Sequence, residues 1–454
     1  MNPDVAEVLS YDFTKDLFPP NRQLIPNLND IYELEIACYE NRLLNDDELI
    51  KNAAYFAKIG DVYTRHFLMC AGQSLKLPNH SSSRLKSFFE KNIFRTGYAT
   101  HGLFPYRGKF HPQMIKGLMN IMGLKPGQTV LDPLMGSGTV MVEASLMGMQ
   151  SVGLDASPFC RFMAQTKIDA LTMSLDRARG ALSNCEEVFS YFQKKVGQPL
   201  SGAKTPRIKV SQGISNIMEP EAGYAMQKNR PPLTEEEQGK LHTYHFLLLA
   251  YLDSASYSER SNRKSASDQF KAILERYLFV AEKIQRVLVG FEGNIATAKI
   301  LEGDARNLPL GNNSIDGIIF SPSYSFAVDY LENDAFHLRF FGIEIEHLRG
   351  KMIGLRGRTL IDKYTLYQED MNQVLSECAR VLRPRAICTI IVGTNNNQLA
   401  KVMGVSPDEV TGLHEILCDL GTKHGLIEIK RMSRPIIGIS NTMRREYILI
   451  LQKK

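Results

Sequence analysis

The order of apolar and polar residues changes several times along the chain, and each change predicts a different kind of structure. Over 27–44 and 45–70, apolar residues recur at helical spacing, and Asn or Asp residues stand where each helix would be capped. A third capped helix is predicted over 81–94. Residues 1–95 are therefore predicted to form a helical region, which we expect to serve packing or partner contact rather than catalysis.

The pattern changes near residue 96, where a loop rich in Gly, Pro and aromatic residues begins. A short amphipathic helix over 112–124 follows, and 128–148 then has the pattern of a strand, a glycine-rich turn and a helix. A second strand over 151–157 contains an acidic residue near its end. This βαβ order predicts a parallel sheet that is covered by helices on both faces.

The alternation of strand and helix stops between 171 and 295, where 173–196 and 266–290 have helical patterns and polar stretches separate them. Such a segment is too long for an ordinary connection within a sheet, so it predicts a helical insertion. The last two strands of the chain are predicted to form an antiparallel pair. Strands resume after the insertion at 298–305, 314–324, 385–394, 426–432 and 446–452.

Composition and charge narrow the class of protein without deciding its function. The chain has 454 residues, with 54 Lys and Arg against 49 Asp and Glu, and its charge of +5 permits a nucleic-acid partner without indicating one. The seven cysteines are scattered and lack zinc-site spacing, which predicts buried thiols in a reducing compartment and no bound metal. There is no signal-peptide pattern and no apolar run long enough for a bilayer. We therefore expect a cytoplasmic protein without a membrane partner.

A glycine-rich turn follows the first predicted strand of the sheet. Asp132 closes that strand, and Gly136 and Gly138 let the backbone turn tightly beside a ligand. The helix that starts near Thr139 points its amide donors into the same crevice. Asp155 ends the next strand, where a ribose-binding acid lies in such units. A tight turn without a ligand is the alternative explanation of a lone G-x-G.

A missing glycine bears on the shape of the ligand. Met141 stands where the dinucleotide fingerprint has its third glycine, which favours a compact nucleoside with an amino-acid tail. S-adenosylmethionine (SAM) has that shape. Asp304 ends a further strand and is a candidate acceptor for the adenine N6 amino group, with a turn or helix-capping role as the alternative.

A polar tetrapeptide, Ser321-Pro322-Ser323-Tyr324, follows an apolar strand. A strand that ends in this way places its turn at the ligand-binding edge of an open sheet. The Ser321 hydroxyl and the Pro322 carbonyl are two acceptors for the N–H bonds of an exocyclic amine, and Tyr324 offers a flat face to a base. These groups suit methyl transfer to an amine by positioning, with an ordinary β-turn as the alternative.

Together these segments resemble the N4-cytosine/N6-adenine DNA methyltransferases, a branch of the SAM-dependent amino-methyltransferases. DPLMGSGT (132–139) is similar to their DPF-x-GSGT cofactor loop, and GLDASP (153–158) to their ribose-binding strand end. SPSY (321–324) is similar to the S-P-P-Y tetrapeptide of the cytosine-N4 branch, with a serine in place of the second proline. FPYRGKF (104–110) resembles the segment near the methionine end of SAM.

The resemblance covers 96–170 and 296–454, and it implies a Rossmann-like SAM-dependent methyltransferase sheet with SAM as the cofactor. It implies that the base is positioned by Ser321, Pro322, Ser323 and Tyr324. The cofactor-binding residues that it implies are Phe110, Asp132, Pro133, Gly136, Ser137, Gly138, Thr139, Asp155, Ala156, Asp304 and Ala305.

The predicted organisation has four parts. An N-terminal helical region (1–95) precedes the first part of the methyltransferase core (96–170), which carries the cofactor loop. The helical insertion (171–295) is a candidate for target recognition, and the second part of the core (296–454) carries the amine site. The fold class is thus α/β, with a mostly parallel sheet and an antiparallel terminal strand.

A basic segment follows the tetrapeptide. Arg349, Lys351, Arg356 and Arg358 lie in a Gly-rich stretch that we expect to be a flexible loop in contact with nucleic acid, with a solvated basic loop as the alternative. The insertion contains a weaker basic patch that includes Arg260 and Arg263. Asp329 and Tyr330, between the tetrapeptide and the basic segment, either line the base pocket or cap the next helix.

The function that the resemblance implies is site-specific methylation of the N4 amine of a cytosine flipped out of double-stranded DNA. A cognate restriction endonuclease would be a partner, and the protein would be nucleoid-associated in a prokaryotic cytoplasm. Three alternatives stay open: an N6-adenine DNA methyltransferase, an RNA methyltransferase of the guanine-N2 type, and a non-catalytic nucleic-acid-binding homologue.

Overall fold

A seven-stranded sheet forms the centre of the protein. The structure is a computed structural model, and it describes residues 17–26, 28, 30–71, 97–106, 108–195, 233–260, 265–290, 295–322, 329–436 and 445–454. The helix predicted over 81–94 lies outside these residues. The strands of the central sheet are β4 (Thr129–Asp132), β5 (Gln150–Asp155), β6 (Ala298–Glu302), β7 (Ile315–Phe320), β8 (Leu382–Gly393), β9 (Leu426–Pro435) and β10 (Arg445–Lys453), and a smaller sheet contains β1 (Arg22–Leu24), β2 (Phe56–Ile59) and β3 (Val62–Tyr63).

The order of the strands creates a crevice in the middle of the large sheet. The order is β6-β5-β4-β7-β8-β10-β9, so the chain runs outward from β4 in one direction and then returns to β7 on its other side. The pairs from β6 to β8 are parallel, whereas β10 is antiparallel to both β8 and β9. The prediction of an α/β, mostly parallel sheet with an antiparallel terminal strand is confirmed. Ligands of such sheets bind where the strand order reverses, which here is between β4 and β7.

Helices cover both faces of the sheet. Within the part of the chain that the structure describes, no helix is both long enough and apolar enough to cross a membrane. The helices are α1 (Ile31–Leu43), α2 (Asp46–Asn52), α3 (Arg65–Ala71), α4 (Pro112–Ile121), α5 (Thr139–Leu146), α6 (Pro158–Asp169), α7 (Asp176–Ser183), α8 (Cys185–Lys195), α9 (Glu235–Arg260), α10 (Ala266–Val289), α11 (Tyr330–Phe340), α12 (Ile345–Arg349), α13 (Leu360–Val381), α14 (Asn396–Met403) and α15 (Leu413–Lys423).

Alternate residues of the central strands enter two different hydrophobic cores. Val130 of β4 and Ile319 of β7 pack with residues of α1, α4 and α5. Leu131 and Ile318 point to the other face and pack with residues of α13 and α15. This two-residue period follows from the pleat of a strand, and the burial of both faces is typical of a parallel sheet with helical crossovers.

The prediction of a continuous helix over 45–70 is wrong in the middle of that segment. Two short strands, β2 and β3, separate α2 from α3, and they form a hairpin with Lys58 opposite Tyr63. Gly60 has a left-handed φ of 58° and forms the turn between the two strands. β2 also pairs with β1, so hydrogen bonds to a distant strand override the local helical spacing.

The buried carboxylate of Glu40 joins the N-terminal helices to the core. Glu40 of α1 is fully buried and accepts hydrogen bonds from Ala54 N at 2.9 Å and Tyr55 N at 3.2 Å. It also accepts one from Asn120 Nδ2 of α4 at 2.6 Å. Burial raises the pKa of Glu40 to about 7, although these three hydrogen bonds oppose the rise. The contact connects α1, the chain before β2 and the helix that precedes β4.

The helices of the insertion form one apolar core with the loop before α4. Helices α7 to α10 lie within 171–295, so the helical character predicted for the insertion is confirmed. Phe104 packs in the same core as Tyr277 of α10, and its N–H donates to the Tyr277 hydroxyl over 2.8 Å. Phe104 has a left-handed φ of 57°, which a non-glycine residue keeps only where its surroundings enforce it. The insertion therefore fixes the start of the 104–110 segment, while its part in target recognition stays a prediction.

Replacing Glu40 with alanine should destabilise the fold, because three buried donors then lack their acceptor. Each unsatisfied buried donor costs about 1–3 kcal/mol, so we expect Glu40→Ala to lower the free energy of unfolding by roughly 3 kcal/mol in urea denaturation. Glu35→Gln is the matched control on the same helix, because Glu35 is partly exposed and pairs with Lys430 at the surface, where such pairs contribute about 0–1 kcal/mol. An equally small loss in both variants would contradict the role of Glu40.

The contribution of Glu40 should also depend on pH. Its pKa of about 7 lies above the ordinary value of 4.5, so the folded protein holds a proton that the unfolded chain has released. That stabilisation is fully present below about pH 4.5 and is lost as the pH rises through about 7. Glu40→Gln lacks it, so the stability of the wild type relative to this variant should decrease from about pH 5 to pH 7.5 in urea titrations. A constant difference over this range would be evidence against the raised pKa.

Candidate active site

A cleft that is open to solvent, with about 850 Å³ of empty space, lies at the carboxyl ends of β4, β5, β6 and β7. The lining residues come from the segment before α4, the glycine-rich loop, the ends of three strands and the basic segment. They are Tyr106, Gly108, Lys109, Phe110, Leu134, Met135, Gly136, Ser137, Thr139, Asp155, Ala156, Gly303, Asp304, Ala305, Ser321, Pro322, Lys351, Met352 and Ile353.

The glycine-rich loop packs too closely for side chains at its turn. Gly136 and Gly138 have left-handed φ values of 48° and 77°. A Cβ atom on Gly138 would lie 2.7 Å from the Cβ of Ala164 in α6, which is closer than real Cβ atoms approach one another. Gly138 therefore allows α5 to begin directly against α6, with the amide groups of its first turn at the cleft.

Hydrogen bonds from two sides hold the loop in place. Met135 N donates to Leu154 O over 3.0 Å, which ties the loop to the adjacent strand β5. Lys167 of α6 is fully buried, and its Nζ donates to Ser137 O over 3.2 Å. Burial lowers the pKa of Lys167 well below its ordinary range, which favours the neutral amine in this apolar place. The loop thus keeps its shape through contacts with both β5 and α6.

Asp155 lies between the loop and the open cleft. Its Oδ2 accepts a hydrogen bond from Gly136 N at 2.9 Å, and its Oδ1 accepts one from Ser157 N at 2.8 Å. Burial raises the pKa of Asp155, and these backbone N–H groups oppose that rise. The side chain still lines the cleft, so one carboxylate shapes the loop and faces the ligand space.

Three of the residues predicted to bind the cofactor lie behind the lining residues. Asp132 is fully buried, and its Oδ1 accepts a hydrogen bond from Leu134 N at 3.0 Å. Burial raises the pKa of Asp132 well above its ordinary range. Pro133 and Gly138 are also outside the lining. These residues shape the loop, whereas the other predicted residues, from Phe110 to Ala305, line the cleft itself.

Asp304 at the end of the third strand is engaged by a neighbouring arginine. Arg306 donates to the Asp304 carboxylate through Nε at 2.9 Å and Nη2 at 2.8 Å, and through its backbone N–H at 2.9 Å. Burial raises the pKa of Asp304, but the hydrogen bonds from Arg306 outweigh it and leave the pKa below its ordinary value. The carboxylate is therefore ionised and held in one orientation at the cleft.

The first two residues of the predicted amine site reach the same cleft. Ser321 and Pro322 follow β7 directly and line the cleft opposite the start of α5 across the switch point. The Ser321 hydroxyl donates to the Pro322 carbonyl over 3.3 Å, so the two oxygens lie side by side. Ser323 and Tyr324 lie outside the described residues, and their predicted role stays a prediction.

Two further lining residues were not singled out from the sequence. Lys109 donates from Nζ to His101 O over 2.9 Å, and burial lowers its pKa to about 8. The ring of Tyr106 lies beside the loop, 3.6 Å from where a Cβ atom of Gly136 would project. The one signal that the sequence offers for both residues is their position in the FPYRGKF segment, which also contains Phe110.

Two arginines of the basic segment form ion pairs within the protein, while the flexibility of the segment and its contact with nucleic acid stay predictions. Arg349 pairs with Asp329 at 2.5 Å, and Arg356 pairs with the buried Asp370. Lys351 lines the cleft, and Arg358 is exposed.

Of the two roles open for Asp329, the structure shows the cap, since its side chain accepts from Leu331 N and Glu332 N of α11. The side chains of Tyr330 and Arg260, and the whole of Arg263, lie outside the described part of the chain, so they stay predictions. In the described residues no group of three or more His, Cys, Asp or Glu side chains is arranged to hold a metal ion.

Comparison with known proteins agrees with this geometry. The sequence model of the RMKL-like methyltransferase domain matches residues 103–191, a range that contains the FPYRGKF segment, the glycine-rich loop and Asp155. The type II methyltransferase M.BsoBI of Geobacillus stearothermophilus is 21% identical over 291 residues, which cover 55% of this chain and 54% of that protein. Residues 103–191 are therefore similar to a methyltransferase domain, and the longer matches are to type II methyltransferases.

Two other relatives show how the similarity is distributed. The type II methyltransferase M.AvaI of Nostoc sp. is 24% identical over 303 residues, which cover 61% of each chain. The tRNA (guanine(10)-N2)-dimethyltransferase of Methanothermobacter thermautotrophicus is 40% identical over 52 residues, 12% of this chain and 16% of that protein. The chain thus spans between about half and three fifths of the type II relatives, and the tRNA enzyme shares only a short segment.

The cleft fits SAM, the cofactor expected from the sequence. The first turn of α5, which begins at Thr139, presents N–H donors at the cleft. Asp155 and Asp304 provide two carboxylates for hydroxyl and amino donors. These are the hydrogen-bonding groups that the ribose and the adenine of SAM require.

Gly138→Ala should weaken cofactor binding, because the new methyl group collides with Ala164 and displaces the start of α5. The matched control is Gly123→Ala, since Gly123 has a similar φ of 75° and no described heavy atom within 4 Å of its Cβ position. Both variants carry the left-handed strain of about 1–2 kcal/mol. For Gly138→Ala we expect a loss of S-adenosylhomocysteine affinity of about 10-fold or more in calorimetry, and none for Gly123→Ala. Equal affinities in the two variants would contradict the close packing.

Proposed function

We propose that the protein is a DNA methyltransferase that transfers the methyl group of SAM to the exocyclic N4 amine of a flipped-out cytosine. The observation that carries the proposal is the pair of oxygens from Ser321 and Pro322 in the same cleft as the glycine-rich loop and Asp155. One cleft therefore combines a cofactor cradle with two acceptors for an amine. The type II relatives support a DNA substrate.

Each part of SAM has a set of candidate partners in this arrangement. Asp155 holds the ribose hydroxyls, and Asp304 with Ala305 holds the adenine. The methionine part lies along the loop from Gly136 to Thr139, near Phe110. The strand order supports a position of the sulfonium methyl group towards Ser321, because the adenine acid follows β6 and the amine site follows β7, on opposite sides of β4 and β5.

The transfer needs orientation of the amine rather than a covalent nucleophile. The Ser321 hydroxyl oxygen and the Pro322 carbonyl accept the two N–H bonds of the amine, which favours a pyramidal nitrogen. The nitrogen lone pair then forms the new N–C bond, the C–S bond of the sulfonium breaks, and its electron pair stays on sulfur. The nitrogen releases one proton to solvent. Positioning of reactants that are held in line supplies most of the rate enhancement.

DNA contact is proposed for the outer part of the basic segment. Arg358 is exposed and Lys351 reaches the cleft, so both are available to phosphate. The insertion helices are proposed to read the target. A serine at the first position of the tetrapeptide favours cytosine over adenine, by resemblance to the cytosine-N4 branch. A cognate restriction endonuclease would then act on the same DNA site.

A second candidate, methylation of guanine N2 in RNA, is favoured by one observation. A tRNA (guanine(10)-N2)-dimethyltransferase is 40% identical to this chain over 52 residues, a short match of the same quality as that of the type II methyltransferase M.MjaII of Methanocaldococcus jannaschii, which is 41% identical over 68 residues. That exocyclic amine has the same hydrogen-bonding groups as cytosine N4, so the cleft alone serves both.

The proposal is tested by incubating the protein with labelled SAM and duplex DNA, total tRNA or ribosomal RNA, and digesting each acceptor to nucleosides. We expect label in N4-methylcytosine from duplex DNA. Label in N6-methyladenine would reverse the choice of base, and label only in N2-methylguanosine would replace DNA by RNA. No transfer to any acceptor would contradict the proposed activity.

Ser321→Ala should slow methyl transfer while leaving cofactor binding intact, because the variant removes one of the two acceptors of the amine. The loss of one hydrogen bond to the reacting nitrogen predicts a fall in kcat of about 10- to 100-fold. Ser314→Ala is the matched control, since Ser314 precedes β7 at the opposite edge of the sheet and its hydroxyl donates to Gly311 O. Equal rates in the two variants, measured with saturating DNA, would rule out a direct role of the Ser321 hydroxyl.

A further inference from the structure

We infer that residues 351–353 form a wall of the adenine end of the cofactor site, and that Arg306 and Asp370 are positioning residues that hold this wall against Asp304. The inference rests on the proposed placement of SAM in the cleft. It assigns Met352, Ile353 and the backbone of Lys351 to the cofactor site, and it leaves Arg358 and the side chain of Lys351 for nucleic acid.

The wall and the adenine acid are neighbours in the same cleft. Met352 and Ile353 line the cleft together with Asp304 and Ala305. Ile353 is buried and packs in the same hydrophobic core as Ala305. Met352 is partly buried, so its side chain offers apolar surface at the cleft. An apolar surface beside a fixed carboxylate suits a planar base that has an exocyclic amino group.

One guanidinium connects the acid to the wall. Arg306 donates to Asp304 through Nε and Nη2, and its Nη2 also donates to the backbone carbonyl of Lys351 at 3.1 Å. Its Nη1 donates to Asp370 Oδ1 at 2.7 Å. The planar fork of an arginine makes these bonds in three directions at once, which a lysine ammonium cannot reproduce with the same geometry.

Asp370 ties a second point of the segment to helix α13. Asp370 is 1% exposed, and its Oδ1 accepts from both Arg306 and Arg356. The negative charges of Asp304 and Asp370 thus alternate in a row with the positive charges of two arginines. The buried carboxylate of Asp370 requires such partners. The row fastens the segment at Lys351 and at Arg356, on either side of the residues that line the cleft.

The arrangement has a consequence for specificity. Asp304 accepts hydrogen bonds, and Arg306 fixes the direction of its remaining lone pairs. An amino group at position 6 of the purine donates to Asp304, whereas a carbonyl oxygen at that position repels it. A site that is built around a donor rejects an analogue that lacks it. The clamp therefore makes the cleft selective for adenine over hypoxanthine.

The test measures the affinities of S-adenosylhomocysteine and S-inosylhomocysteine by calorimetry, without any nucleic acid. For the wild type we expect the adenosyl compound to bind about 10-fold or more tightly than the inosyl compound. In Arg306→Lys this ratio should fall below about 3-fold, because a lysine does not hold the Asp304 carboxylate in the same orientation. Arg383→Ala is the control, since Arg383 pairs with Asp316 at the opposite edge of the sheet and should keep the wild-type ratio.

A second variant keeps the inference falsifiable if the arginine variant does not fold. Met352→Ala should weaken both compounds by the same factor, about 3- to 10-fold, and leave their ratio unchanged, because it removes apolar contact and not the aimed acceptor. A wild-type ratio in folded Arg306→Lys, or full affinity in Met352→Ala, would overturn the inference. Tight binding of S-adenosylhomocysteine without methyl transfer to DNA or RNA would instead contradict the proposed function alone. A wild type that binds neither compound would overturn both.

Discussion

The carboxylate of Asp155 holds together the two elements that make the cofactor cleft. It accepts one hydrogen bond from the glycine-rich loop, at Gly136 N, and one from the start of α6, at Ser157 N. The loop can adopt this course because Gly138 leaves no side chain between α5 and α6. If either contact were absent, the first turn of α5 would no longer present its amide groups at the switch point of the sheet. The geometry of the cleft therefore depends on a short-range fit between an acid, a glycine and two helix ends.

Polar and charged side chains extend this fit outward from the loop. Lys167 supports the loop from α6 through the Ser137 carbonyl. On the other side of the cleft, the row of Asp304, Arg306 and Asp370 joins the third strand end to α13. Each of these groups would be costly to bury alone, and each has a hydrogen-bonding partner that fixes its direction. The ligand-facing surface is thus rigid before a cofactor arrives, which lowers the entropic cost of binding.

The N-terminal helices and the insertion also support the residues that line the cleft. Glu40 connects the N-terminal helices to α4, and Tyr277 connects the insertion to Phe104. Both contacts flank the 104–110 segment, which carries Tyr106, Lys109 and Phe110 into the cleft. The insertion and the N-terminal region therefore have a structural role at this end of the cleft, in addition to any role in target recognition.

The sequence by itself determined the parallel sheet, the glycine-rich loop, the acids at three strand ends and the position of the tetrapeptide. Each of these features depends on residues that are close together in the sequence, so the type and spacing of those residues are enough to predict it. Tertiary structure decided what local patterns do not contain. The hairpin of β2 and β3 replaced a predicted helix because β1 supplies distant hydrogen bonds. Lys109 lines the cleft and is buried there, which its place in the sequence does not indicate. The sequence predicts a nucleic-acid contact for Arg356, and the fold adds an ion pair with Asp370, a residue 14 positions away that the packing of α13 buries. Charge in a sequence reveals that a group needs a partner, and only the fold decides whether that partner is a ligand or the protein itself.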